Sequence, residues 1–162
     1  MIANKKSIQD FVKDVVYQTL EVTCYMFPVE ADELEDMGVD TNVNEDDMTT
    51  SVVTFQGAAE GALFISANDD LYHALAANML GESTANQDEK EAALCEIANI
   101  ICGNIVPYFA MNDEICKINP PQMSNQKVRG NYQKGIYQNE YLRVYTDEGI
   151  VDISIYFKNS IR

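Results

Sequence analysis

Residues 92–109 read Ala-Ala-Leu-Cys-Glu-Ile-Ala-Asn-Ile-Ile-Cys-Gly-Asn-Ile-Val-Pro-Tyr-Phe, and this stretch decides the fold. Leu94, Cys95, Ile97, Ile100, Ile101, Cys102, Ile105 and Phe109 wrap most of a helix surface, the pattern of a buried or heavily packed helix. Residues three and four apart share a helical face, so Glu96, Asn99 and Gly103 form one line and Ala92 extends it by a turn. A carboxylate and a carboxamide between small residues describe a strip that another backbone can approach closely. A solvated face carries Lys, Arg and Glu more freely. Two readings stay open for the pair. It is either a functional site, or a structural one in which Asn99 bonds a neighbouring loop and Glu96 a buried cation, since buried polar groups are normally satisfied.

The segments around this helix supply its partners. Asn68-Asp-Asp is a helix start, predicting a helix to about Leu80 that stops at Gly81, with Leu71, Leu75, Met79 and Leu80 toward the core. His73 falls outside that apolar set and reads as a surface histidine. A polar link over Glu82–Gln87 follows, and the long helix is predicted to begin near Asp88. Upstream, Thr49–Gln56 and Gly61–Ser66 are β-rich runs joined by Gly57-Ala-Ala-Glu60, which predicts a hairpin. Downstream, Pro120-Pro121 opens a stretch expected to be irregular as far as Lys134. Val151, Ile153, Ile155 and Phe157 then alternate with Asp152, Ser154, Tyr156 and Lys158, a half-buried strand. Thr146-Asp-Glu-Gly149 turns the chain back from a Tyr141–Tyr145 strand, so the two should pair antiparallel.

At the other end, Ser7 with Asp10 resembles a capping box. Ile8, Phe11, Val12, Val15, Val16, Leu20 and Val22 recur at helical spacing, and this first helix is expected to end near Phe27–Pro28, because proline disfavours helix at the residue before it. The sum is an α+β fold, an antiparallel β-sheet packed with long α-helices, in one domain over residues 1–162. No internal repeat is visible in the sequence.

A net charge of −15 argues against gripping nucleic acid through its phosphates and against docking on an anionic membrane. The basic Met1-Ile-Ala-Asn-Lys-Lys start is followed by an amphipathic segment and not by a signal-peptide h-region. The longest apolar run is interrupted by Glu96, Asn99, Asn104 and Pro107, so the expectation is a cytoplasmic protein with no membrane span. Cys24, Cys95, Cys102 and Cys116 lack C-x-x-C spacing and His73 is the lone histidine, so no metal site is expected and the thiols read as small buried hydrophobes. Glu30 to Asp47 is an acidic connector that reads as a solvated loop; Asn42–Asp47 lacks the ligand spacing and final Glu of an EF-hand.

In this order the elements resemble the CheX branch of the CheC/CheX/FliY chemotaxis phosphatases. The residues that carry the resemblance are Glu96-Ile-Ala-Asn99 followed by Ile-Ile-Cys-Gly103-Asn104, matching the family's E-x-x-N helix and its glycine. The first helix, the Gly57…Gly61-Ala-Leu-Phe-Ile hairpin and the Leu71–Gly81 helix extend it over nearly the whole chain. The resemblance implies dephosphorylation of the aspartyl-phosphate of a CheY-type response-regulator receiver domain. Asn99 would orient the attacking water, and Glu96 would bind the receiver's lysine, with Ala92 and Gly103 on the partner-binding strip. Mg²⁺ would belong to the receiver, and this chain would bind no cofactor. The single E-x-x-N helix implies the CheX type, which resembles homodimers. Two departures stand out: Ala92 occupies a position where the family often has Asp or Ser, and the downstream proline is matched only approximately by Pro120 or Pro121. They keep a second expectation alive, a non-enzymatic receiver-binding or flagellar-switch-type adaptor on the same fold.

Overall fold

The computed structural model describes residues 5–81, 85–110 and 114–159. The predicted hairpin forms from β2 (Thr49–Gln56) and β3 (Ala59–Ala67), with Thr49 opposite Ala67 and Phe55 opposite Gly61. The second predicted hairpin forms from β6 (Gln138–Thr146) and β7 (Ile150–Asn159), longer at both ends than its sequence core. The hairpins join through β3 and β7, where Leu63 faces Ile155. At this seam a Cβ on Gly61 would lie 1.8 Å from the Tyr156 carbonyl oxygen, so only glycine lets the strands meet. Three two-residue strands complete a seven-stranded antiparallel sheet: β1 (Pro28–Val29) on β6, and β4 (Lys117–Ile118) with β5 (Gln122–Met123) on the outer edge of β2.

The topology contains a repeat that the sequence does not display. Helix α1 (Ile8–Val22) leads to β1 and then to the β2–β3 hairpin; helix α4 (Gln87–Ile105) leads to β4 and β5 and then to the β6–β7 hairpin. Each half lends its short strands and its helix to the other half: β1 pairs with β6 and β4 with β2, while α1 packs against β6 and α4 against β2. Successive strand residues point to opposite faces. One face, with Val53, Leu63, Ile65, Val151, Ile153 and Ile155, forms the main core under α1, α3 (Asp69–Leu80) and α4. The other face carries a smaller cluster of Val52, Ala62, Phe64 and Tyr156, against which Tyr132 and Val128 of α5 (Gln126–Gln133) pack.

Several boundaries differ from expectation. Helix α1 begins as predicted, with Ser7 Oγ accepting the Asp10 N–H at 3.1 Å, but it ends at Val22 and not near Phe27–Pro28. The N–H groups of Thr23 and Cys24 both donate to the Thr19 carbonyl, that of Met26 to Leu20, and Tyr25 takes a φ of 55°. The chain has therefore turned into β1 before the proline acts. The stretch after Pro120 is not irregular: it holds β5 and α5, the latter capped by the Asn125 side chain. The acidic connector is partly ordered as a short helix, α2 (Ala31–Asp36), anchored by buried Leu34, and a 3-10 turn at Glu45–Asp47 whose Glu45 pairs with Arg129 of α5. Leu80, expected in the core, is 51% exposed at the last turn of α3. Of the polar link, residues 82–84 lie outside the described residues, as do residues 1–4 of the basic start.

Candidate functional site

Helix α4 starts with a reciprocal cap. The Asn86 side chain accepts the Glu89 N–H at 2.8 Å, and Glu89 Oε1 accepts the Asn86 N–H at 3.1 Å. From there Ala93, Leu94, Ile97, Ala98, Ile101, Cys102 and Ile105 form the inward face, pressed on β2 and β3. Ser51 of β2 donates to the Leu94 carbonyl at 3.3 Å. The chain Gln87–Phe109 is long and apolar enough to cross a membrane by composition, but half of it is buried inside this domain, where its apolar face is used.

The opposite stripe is open. Ala92 and Glu96 are exposed, and Asn99 and Gly103 are half-buried beside them. All four predicted site residues thus share one accessible line. Neither Glu96 nor Asn99 makes a side-chain hydrogen bond or ion pair among the described residues. Among the described residues, neither the neighbouring loop nor the buried cation of the structural alternative is among their contacts.

Two walls flank the stripe. On one side are β4 and β5: the Cys95 thiol lies 3.7 Å from the Met123 sulfur, and among the described residues a Cβ on Gly103 would meet only Ile118 Cδ1, at 3.5 Å. On the other side Ile100 and Asn104 face α1 across a cleft of about 430 Å³. Asn104 is exposed, and its amide donates to the Ile100 carbonyl at 3.0 Å. The sequence reading missed this cleft, because Ile100 looked like one more core position and nothing local says which helix lies opposite it.

The electrostatics hold three of the thiols protonated. Burial pushes the Cys24 and Cys102 thiols up to about 12, and burial together with Glu91 raises Cys95. None is a thiolate at neutral pH. His73 sits exposed on α3, off the stripe. Among the described residues no three His, Cys, Asp or Glu side chains gather as a metal site. The stripe itself can do two things: the Glu96 carboxylate can attract a cation, and the Asn99 carboxamide can donate and accept hydrogen bonds one turn away.

An antiparallel sheet under three helices, with an open acid–amide stripe on the longest, defines a class that comparison with known proteins makes explicit. The family model described as Chemotaxis phosphatase CheX matches residues 49–135, more than half the chain and all four stripe residues. The chain belongs to the CheX family. Among solved structures it is similar to chemotaxis protein CheX from Vibrio vulnificus, with a TM-score of 0.66 and 16% identity over 96% of this chain and 100% of that one. It is similar to the same extent, with a TM-score of 0.68, 16% identity and 96% and 100% coverage, to the CheX–CheY–BeF3–Mg²⁺ complex from Borrelia burgdorferi. A more distant likeness is to the FliM–SpeE complex from H. pylori, with a TM-score of 0.56 and 9% identity over 96% of this chain and 90% of that chain. At these identities the structural likeness is one of fold. No curated protein matches the chain.

Proposed function

We propose that this protein is a cytoplasmic phosphatase that removes the aspartyl-phosphate of a CheY-type response-regulator receiver domain. The observation that carries the reading is the open α4 stripe, where Glu96 and Asn99 stand accessible and without side-chain partners among the described residues. The B. burgdorferi CheX solved in complex with CheY supports a receiver as the partner. In this reaction water attacks an acyl phosphate in line, and catalysis depends on positioning and electrostatics more than on a protein nucleophile. Asn99 orients the water by accepting from it, Glu96 holds the receiver's lysine, and Ala92 and Gly103 let the receiver backbone lie close. The Mg²⁺ is the receiver's own, and this chain contributes no cofactor.

The protein works as one domain and as a homodimer in this reading. Strand β1 covers the outer edge of β6 only at Tyr145 and Thr146, so Gln138–Val144 offer an edge for a second copy. Sedimentation at micromolar concentration tests this, and a monomer removes it.

A receiver-binding adaptor is the second reading, favoured by the exposed Ala92, where the family often carries Asp or Ser. Phosphate loss from phosphorylated receivers separates the two. Acceleration by wild type and not by Asn99→Ala supports the phosphatase; binding without acceleration supports the adaptor.

A further inference from the structure

We propose that the cleft between α1 and α4 selects among receivers, by taking an apolar side chain that the right receiver carries beside its lysine. This rests on Glu96 and Asn99 being the phosphatase site. The cleft shares a wall with that stripe: Ile100 follows Asn99, and Asn104 follows Gly103. Glu96 and Ile100 are four apart on α4, which puts their Cβ atoms about 5–6 Å from each other. A lysine held by Glu96 therefore brings the residues next to it to the mouth of the cleft.

The chemistry of the lining specifies the occupant. Phe11 and Val15 of α1 and Ile100 of α4 give the cleft an apolar interior, and Val22 at its end is 66% exposed, an apolar surface for which the fold itself has no use. Its volume of about 430 Å³ admits side chains, not a domain. The one lysine in the lining, Lys6, is paired with Asp14. Asp10 and Glu21 are exposed on α1 outside the lining, and Glu96 is exposed one turn from Ile100 on α4. An apolar cleft between two helices that carry exposed acids beside it is complementary to an apolar side chain flanked by cations, and it disfavours a receiver with acids at that place. Selection of this kind acts on binding and not on the chemical step.

The test fills the cleft from exposed positions, with Gln18→Trp and, independently, Val22→Trp, and uses His73→Trp on α3 as a control away from it. Steady-state dephosphorylation gives KM and kcat, and beryllofluoride-loaded receivers give Kd. Filling the cleft is expected to raise KM and Kd about tenfold for the cognate receiver, with the control unchanged, whereas Asn99→Ala lowers kcat. Unchanged KM and Kd in both folded tryptophan variants, with kcat still lost in Asn99→Ala, overturns the cleft and spares the site. Weakened binding in them with kcat intact in Asn99→Ala overturns the catalytic role and supports the cleft as a docking surface. If no receiver binds the wild type, both proposals fall.

Discussion

Glu96 and Asn99 lie one turn apart on the open stripe of α4, while Ile97 and Ala98 between them are fully buried. The same turn of helix thus anchors the core and presents an acid and an amide with no side-chain partner among the described residues. Removing either should cost the fold little. Asn99→Ala and Glu96→Lys are expected to unfold within about 0.5 kcal/mol of wild type, as surface changes do. Function should respond sharply: Asn99→Ala loses rate with affinity largely kept, and Glu96→Lys weakens receiver binding by about tenfold or more. Denaturant melts and binding isotherms on the same preparations check both halves. A large loss of stability would mean that the pair is structural.

Gly103→Ala should move stability and binding in opposite directions. The backbone there is helical, and a new Cβ finds only ordinary contact, 3.5 Å from Ile118 Cδ1. Alanine in place of a helical glycine should add up to about 1 kcal/mol. The same methyl group would stand where the receiver approaches, so Kd should rise. If stability and affinity rise together, Gly103 is not part of the docking strip.

The polar face of the sheet makes a different prediction. Arg143 of β6 grips Asp152 of β7 with two hydrogen bonds, of 2.7 and 2.9 Å, and the Asp152 side chain is 1% exposed. Arg143→Met leaves the buried carboxylate without its cation, with only the Tyr141 hydroxyl beside it, and should destabilise by up to about 3–5 kcal/mol. The double variant Arg143→Met/Asp152→Leu should recover most of that loss. Equilibrium unfolding of the three variants closes the cycle, and an additive result would show that the two side chains do not act as a pair.

Stability should also fall at alkaline pH, through the thiols. Burial raises Cys24 and Cys102 from an ordinary value of 9.0 to about 12. Below pH 9 both are protonated, folded or unfolded, and contribute fully. Between about 9 and about 12 the unfolded chain releases protons that the folded one keeps, so stability is lost as pH rises. The slope should approach about 1.4 kcal/mol per pH unit for each thiol. Urea midpoints from pH 8 to 11 measure it, and Cys24→Ala/Cys102→Ala should flatten the curve whatever its height.

The helix of Glu96 and Asn99 and the β7 strand were legible because each repeats its pattern over several turns or pleats. The end of α1 was not, since the proline at position 28 pointed to a stop that the Thr19 and Leu20 carbonyls and the bend at Tyr25 had already made. Strands β1, β4 and β5 carry two residues each, too few for any alternation, and exist only because β6 and β2 offer them an edge. Helix α5 is short and polar, and it is secured from outside, by Tyr132 on Phe64 and Arg129 on Glu45 and Ser154.

The sequence by itself determined that an acid, an amide and two small residues share one face of an apolar helix, because a period of 3.6 residues is a local property of the backbone. Whether that face is covered was decided only by tertiary structure. Helix α1 and the β4–β5 edge settle on either side of α4 and stop short of its outer stripe, leaving Glu96 and Asn99 open and a cleft beside them. Coverage depends on contacts between segments far apart in the chain, and no local pattern encodes which surface is left over when they have packed.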